Sequence, residues 1–396
     1  MSNQRRRIAP ASCAGLLAAF LALAPPGGAR ADVVTEANAR AAAVASTIKA
    51  TPIAVRAMAI VQVSVHDALR ALPGGASADA AVAAATRRAL RALVPAESTA
   101  VEADYAAALA GLPAGPATAA GVASGERAAA AVLAARADDG WNAPEAYVPH
   151  VEPGVYAPTT RPLLPHWGRR RPWLLGAGDE VRPAAPPRLD SDTWQRDLAE
   201  VAAVGGRTSV RRTAEQTAIA RFWETTSPAV YWPVVRSVAE ARSRGPQESA
   251  RLLAEAAMAM DDALIAVFDA KYAYEFWRPV TAIRNGPPGV RDERWEPLVE
   301  TPMHPEYPCA HCIVSAAVAA VLEAAIGDGP SPPLRSTSPT AAGAERTWAS
   351  PAEFEREVAE ARICAGVHYR NSTEVGRAMG RRIGALAESR FAAAAR

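Results

Sequence analysis

The chain has 396 residues, enough for one large domain or two ordinary ones. Half of them are hydrophobic and the formal net charge is +2, so neither sign is in surplus and nothing suggests nucleic acid as a partner. Alanine-rich helical periodicity dominates and few runs alternate as strands do, which predicts an all-α fold.

Residues 1–31 read as an export signal. Arg5-Arg6-Arg7 precede an apolar stretch from Ala11 to Ala24, and Ala29-Arg30-Ala31 offers a small-x-small cleavage site before Asp32. The apolar stretch is too short to favour a permanent span, Cys13 is badly placed for a lipid anchor, and no later stretch is expected to cross a bilayer. The expectation is an exported protein, periplasmic or secreted, in an oxidising compartment where Cys309, Cys312 and Cys364 can pair.

Residues 32–187 form the first region. Alanine-rich helices are expected from about Thr35 to Asp138, broken at Thr51-Pro52, Leu72-Pro73-Gly74-Gly75, Pro95 and Leu112-Pro113. His66-Asp67 on one of them reads as a satisfied core pair. From Asp139 to about Pro187 the texture changes to Pro, Gly and Trp, with Trp141, Trp167, Trp173 and Arg169-Arg170-Arg171. So many aromatics suit a strap lying over helices better than a solvated linker. His150 and His166 lie on it, and packing is the simpler account of both.

Residues 188–396 form the second region. Helices are expected at Asp192–Val204, Thr213–Trp223, Pro228–Arg242 and Pro246 to about Trp277, the last stopped by Arg278-Pro279. Tyr307-Pro308-Cys309-Ala310-His311-Cys312 then opens an apolar helix to Ile326, closed by Gly327-Asp328-Gly329-Pro330. Residues 328–349, rich in Pro, Ser and Thr, are expected to be a mobile surface loop. Ser350-Pro351-Ala352-Glu353 and Asn371-Ser372-Thr373-Glu374 read as capping boxes for two final helices.

Three segments place titratable groups at helix ends. Lys271 and Arg278 are seven apart, two turns of one expected helix face; Arg362 closes another helix, with His368 just before the next. His311 stands in the first turn of the helix after Cys309, among amides with no intrahelical partner and at the positive end of the dipole. Only two lysines occur, Lys49 and Lys271, against 41 arginines (43 − 2), which singles out Lys271. If the five converge, buried like charge must hold an anion, and an oxyanion fits the donors.

These residues carry a resemblance. Lys271, six residues, Arg278-Pro279; then Pro308-Cys309-Ala310-His311; then Arg362, five residues, His368 together resemble the superfamily of vanadium-dependent haloperoxidases, type 2 phosphatidic acid phosphatases and bacterial acid phosphatases. Glu275-Phe276-Trp277-Arg278-Pro279 and His304-Pro305-Glu306-Tyr307-Pro308 are similar to the haloperoxidase branch in particular. The resemblance covers roughly residues 213–396. It implies that Lys271, Arg278 and Arg362, with amides near Cys309 and Ala310, bind the oxygens of vanadate or phosphate. It also implies that His368 is the vanadium ligand or phosphohistidine nucleophile, and His311 the acid–base group. The implied cofactor is vanadate, with phosphate able to take its place. The implied partners are hydrogen peroxide and a halide or small organic substrate, or else a phosphate ester.

Three positions depart from the family pattern. Cys309 stands for serine, Ala310 for glycine, and Ser372 for the Asp that phosphatase-like members often carry four residues past the histidine. Glu374 or Glu224 is the expected substitute for that carboxylate. A disulfide from Cys364 to Cys312 is also expected. Outside this resemblance, Cys309-x-x-Cys312 at a helix start suits a disulfide oxidoreductase, but no βαβ pattern surrounds it. Cys309, Cys312, Cys364 and His368 have zinc-like spacing. A non-catalytic exported oxyanion-binding protein is the remaining alternative.

Overall fold

The computed structural model describes residues 32–242 and 245–394, so the expected export signal lies outside the described residues. Among these residues the fold is helical: α1 Val33–Ala45, α2 Thr51–Arg70, α3 Ala78–Leu93, α4 Ser98–Ala110 and α5 Pro116–Ala135 come first. After the strap follow α6 Asp192–Val204, α7 Ala214–Phe222, α8 Pro228–Arg242, α9 Pro246–Tyr274, α10 Pro279–Arg284, α11 Ala310–Ile326, α12 Pro351–Cys364 and α13 Arg370–Ala394. The expected all-α class holds.

α9 is the axis of the molecule, with 20 of its 29 residues buried. It packs against α2 from the first region and against α11 and α13 from the second, so the described residues belong to one compact unit, 31–396. Two helix pairs approach closely on small residues. A Cβ on Gly380 of α13 would lie 2.2 Å from the Ile313 carbonyl of α11, and one on Gly125 of α5 would lie 2.3 Å from the Ala81 carbonyl of α3. Packing at that distance excludes any side chain at those two positions. α2 is long and apolar enough to cross a membrane, contrary to expectation, yet 83% of its apolar window is buried inside the protein.

The strap is pinned rather than free. Asp262 on α9 accepts the backbone N–H groups of Trp173, Leu174 and Leu175 at 2.7, 2.7 and 2.9 Å, and Asp261 holds Arg170 and the Trp173 indole. The Arg136 guanidinium stacks 3.5 Å from the Trp173 ring centre.

Four local expectations change. α9 stops at Tyr274 and not near Trp277, because Glu275 turns left-handed at φ 48° and residues 275–277 pair with the strap. Tyr156 N–H donates to the Glu275 carbonyl at 2.6 Å, and Trp277 N–H donates to that of Gly154 at 3.0 Å. The stretch 328–349 is not a loose loop: Leu334–Thr337 (β1) and Glu345–Trp348 (β2) form an antiparallel hairpin. Trp348 anchors it, buried against Phe222, Trp223 and Phe354. Asn371 does not cap α13, which already begins at Arg370. Ser350 does cap α12, but Glu353 turns to the Ala349 amide and leaves that capping box half made.

Candidate active site

Lys271, Arg278, Arg362, His304, His311 and His368 converge at the junction of α9, α10, α11 and α12, all buried. The route differs from the one the spacing implied. Because α9 ends at Tyr274, Arg278 does not share a helix face with Lys271; it is the N-cap residue of α10. The extended turn between them brings the guanidinium round to meet the segment 304–308.

The Lys271 ammonium donates to the carbonyls of Pro305, Glu306 and Pro308 at 2.8, 2.7 and 2.5 Å. Its three N–H bonds are thus taken up in shaping the turn before α11, and its charge is what it lends the site. Arg278 donates from Nε to the His304 carbonyl at 2.9 Å and from one terminal nitrogen to that of Val367 at 2.8 Å. The same nitrogen lies 3.4 Å from His368 Nε2. Arg362 donates to the Trp223 carbonyl, while its buried Nε has no partner; His311 Nε2 is likewise buried and unpartnered.

The orienting carboxylate is Glu306, which reading the sequence missed. Its Oε1 lies 2.7 Å from His368 Nδ1 and accepts Tyr369 N–H at 3.1 Å. With Arg278 facing Nε2, the consistent tautomer carries its proton on Nδ1, donated to Glu306, and leaves the Nε2 lone pair toward the cations. Ser372 supplies only a hydroxyl 3.4 Å from the same Nδ1. Neither proposed substitute serves: Glu374 is exposed, and Glu224 lines the wider cleft. The signal was present, since Glu306 lies in the His304–Pro308 segment itself, but only the folded chain shows that a carboxylate before α11 reaches a histidine before α13.

Burial and mutual repulsion set the protonation. Burial lowers Lys271 well below the usual lysine range, helped by Arg278, and brings Arg278 down to about 10. His304, His311 and His368 are all held well below an ordinary histidine, first by burial and then by the cations, and so stay neutral. Burial pushes Glu306 up to about 7, against the pull of Lys271 and Arg278. Counting Lys271, Arg278 and Arg362 against Glu306 leaves a surplus of two positive charges (3 − 1) with the carboxylate ionised.

The cysteines differ from expectation. Cys309, Cys312 and Cys364 are all free and buried, so the expected Cys364–Cys312 bridge is absent. Ala359 of α12 packs on Cys309 and Cys312. Cys364, five residues on and about 140° round the helix, instead packs with Ala220, Leu298 and Val299. Burial raises its thiol to about 12. This separation also breaks up the zinc-like set, and among the described residues no three His, Cys, Asp or Glu side chains group around a metal position. Cys309 is the N-cap of α11, its sulfur accepting Cys312 N–H at 3.3 Å. Burial pushes its thiol up, but Cys312 and the Arg362 charge bring it below the ordinary value, while Cys312 is held well above. Ala310, the first residue of α11, brings its backbone amide to the same end.

A cleft of about 740 Å³ opens onto this cluster at His304, Ala310, His311 and His368. Phe268, Leu264 and Val299 line it, with Thr159, Thr160 and Leu163 from the strap; Lys49, the second lysine, is at its edge. His150 and His166 are not in its lining: His166 Nε2 is 3.1 Å from the Trp141 carbonyl, and His150 sits beside Glu275. His66 packs against Phe391, also outside this cleft.

Residues 251–395 match the family model described as the VCPO second helical-bundle domain, which spans the three motif segments. The likeness is to the haloperoxidase branch of the superfamily.

Solved structures extend the likeness of fold over nearly the whole chain. A bacterial vanadium-dependent iodoperoxidase aligns with a TM-score of 0.77 at 23% identity, covering 91% of this chain and 97% of that one. A bacterial vanadium-dependent chloroperoxidase aligns in its holo form at 0.70 and 17% identity, covering 86% of this chain and 91% of that one. Its apo form aligns at 0.71 and 17%, covering 86% and 92%. No curated protein matches the sequence.

Proposed function

We propose that this chain is a vanadate-dependent haloperoxidase, using hydrogen peroxide to oxidise a halide at the base of the cleft. One observation carries the reading: two buried nitrogens without partners, Arg362 Nε and His311 Nε2, stand with His368 Nε2, 3.4 Å from Arg278, in a pocket of surplus positive charge. A buried ion left unpaired costs several kcal/mol, so the arrangement fits an oxyanion. The likeness to vanadium haloperoxidases supports vanadate as that anion.

His368 Nε2 would be the ligand, and Arg362, Arg278 and the first-turn amides of α11 would hold the oxygens. When bound, vanadate supplies the Lewis acidity that activates peroxide toward halide. Glu306 fixes the His368 ring and its tautomer. His311, held neutral and with Nε2 unpartnered, would be the residue that takes a proton from peroxide and returns one to the leaving oxygen. Lys271 fixes the 305–308 turn by donating to its carbonyls and adds charge to the site. The chain is also taken to be exported, on the strength of its apolar N-terminal segment.

The test is halogenation by purified protein with peroxide and bromide or iodide, with and without orthovanadate, run beside phosphate-ester hydrolysis. Vanadate-dependent halogenation supports the proposal. Hydrolysis inhibited by vanadate, with no halogenation at any vanadate concentration, replaces it with a phosphatase acting through phosphohistidine at His368.

A further inference from the structure

We infer that Cys309 and Cys312 form a peroxide-reactive thiol pair, closing a disulfide within the first turn of α11. The inference stands apart from vanadate chemistry and needs only a hydroperoxide. Cys309 is the N-cap and Cys312 the third helical residue, one turn apart, which is the separation a disulfide spans. The Cys309 sulfur already faces Cys312, accepting its N–H at 3.3 Å. The two residues between them, Ala310 and His311, form part of the cleft wall, so a small oxidant in the cleft is one residue from the pair.

The surroundings suit an attacking thiolate at Cys309 in particular. It has the helix N-terminus beneath it, and the Arg362 guanidinium, with Nε buried and unpartnered, lowers its thiol. His311 Nε2, also buried and unpartnered, points to a small polar guest at the same end of the helix. Cys364 lies in another apolar cluster and takes no part.

The chemistry balances. The Cys309 thiolate attacks one peroxide oxygen; an S–O bond forms, the O–O bond breaks, and the departing hydroxide takes up the proton the thiol lost, giving water. The Cys312 thiolate then attacks the Cys309 sulfenic sulfur; the S–S bond forms and the S–O bond breaks. The leaving hydroxide takes the Cys312 proton as a second water. Two thiols are oxidised by two electrons in all, and one peroxide becomes two waters.

The experiment uses the reduced full-length chain without vanadate, exposed to hydrogen peroxide, then denatured and alkylated, with a non-reducing peptide map. The expected result is loss of label at Cys309 and Cys312, a linked peptide lighter by two hydrogens, and full label at Cys364. In Cys312→Ser, peroxide should leave a dimedone-reactive sulfenic acid on Cys309, whereas in Cys309→Ser, Cys312 should stay alkylatable. Saturating inorganic phosphate should slow bridge formation by filling the anion position. Full labelling of both thiols after peroxide, or a bridge to Cys364, overturns the inference. So does a Cys312→Ser protein that gives no dimedone adduct. A rate unchanged by phosphate overturns the route through the cleft.

Discussion

Two buried clusters of charge sit along α9, and they are solved in opposite ways. Beneath the strap, Arg56, Arg136 and Arg170 meet Asp139, Asp261 and Asp262. Arg56 and Arg170 both bind Asp139, at 2.9 and 2.7 Å, and Arg170 also binds Asp261 at 2.8 Å. Arg136 donates to the carbonyls of Arg171 and Pro172. Three cations face three carboxylates, and the network clamps the strap to α9. Near the C-terminal end of the same helix, Lys271, Arg278 and Arg362 face one carboxylate, Glu306, which points at His368 and is not ion-paired to any of the three. The first cluster balances its charges without a guest, although Arg170 Nε is buried there without a partner. The second keeps a surplus of positive charge and lowered basicities that a bound anion would relieve. Buried arginine alone therefore does not mark a site; the unbalanced count does.

The sharpest way to break the contrast is to unbalance the closed cluster. Asp261→Asn leaves Arg170 short of a charge partner in the interior and should cost about 3–5 kcal/mol, with no rescue by phosphate. A thermal or denaturant melt checks it; a loss near zero would show that the strap clamp is not what holds this region. At the open cluster the guest supplies the stability. Phosphate, tungstate or vanadate at roughly a hundred times its dissociation constant should add about 2.7 kcal/mol. Arg362→Ala should abolish that gain, and an undiminished gain in the variant removes Arg362 from the anion site.

Smaller effects sharpen the account of the carboxylate. Glu306→Gln should weaken vanadate binding by about 10–100-fold, because the His368 ring loses its charged anchor. Adding Ser372→Asp should restore part of it, since position 372 already approaches the same nitrogen. A double variant no better than Glu306→Gln would show that placement before α11 matters beyond the charge. Binding measured by titration, apart from turnover, separates these cases.

The mildest test is pH. Three histidines have folded values well below their usual 6.5, so below that value the unfolded chain binds more protons and stability falls as pH drops. Glu306 works the other way: raised from 4.5 to about 7, it takes up a proton in the folded state first and favours folding as pH falls through that window. Asp262, raised by burial to about 6, works with Glu306; three histidines against these two carboxylates predict a lower melting temperature at about pH 5 than at about pH 7, with phosphate reducing the difference. A melting temperature that rises on acidification would mean that the histidines are not buried neutral.

The sequence by itself determined the helical class, several helix boundaries and the identities of the cationic residues. α6 begins and ends, and α8 begins, where the caps, prolines and glycines placed them, because those signals act within a few residues. Lys271, Arg278, Arg362, His311 and His368 were legible for the same reason: fixed short spacings tied each to a helix end. What the tertiary structure alone decided was every relation across the chain. Residues 154–156 of the strap end α9 early and change how Arg278 arrives. The face of α12 separates Cys364 from Cys312. Glu306 meets His368 across 62 residues of sequence, and Trp348 turns a Pro-rich stretch into a docked hairpin. Each depends on packing between segments far apart in the chain, where local propensity has no influence and burial, hydrogen bonding and charge balance choose the partner.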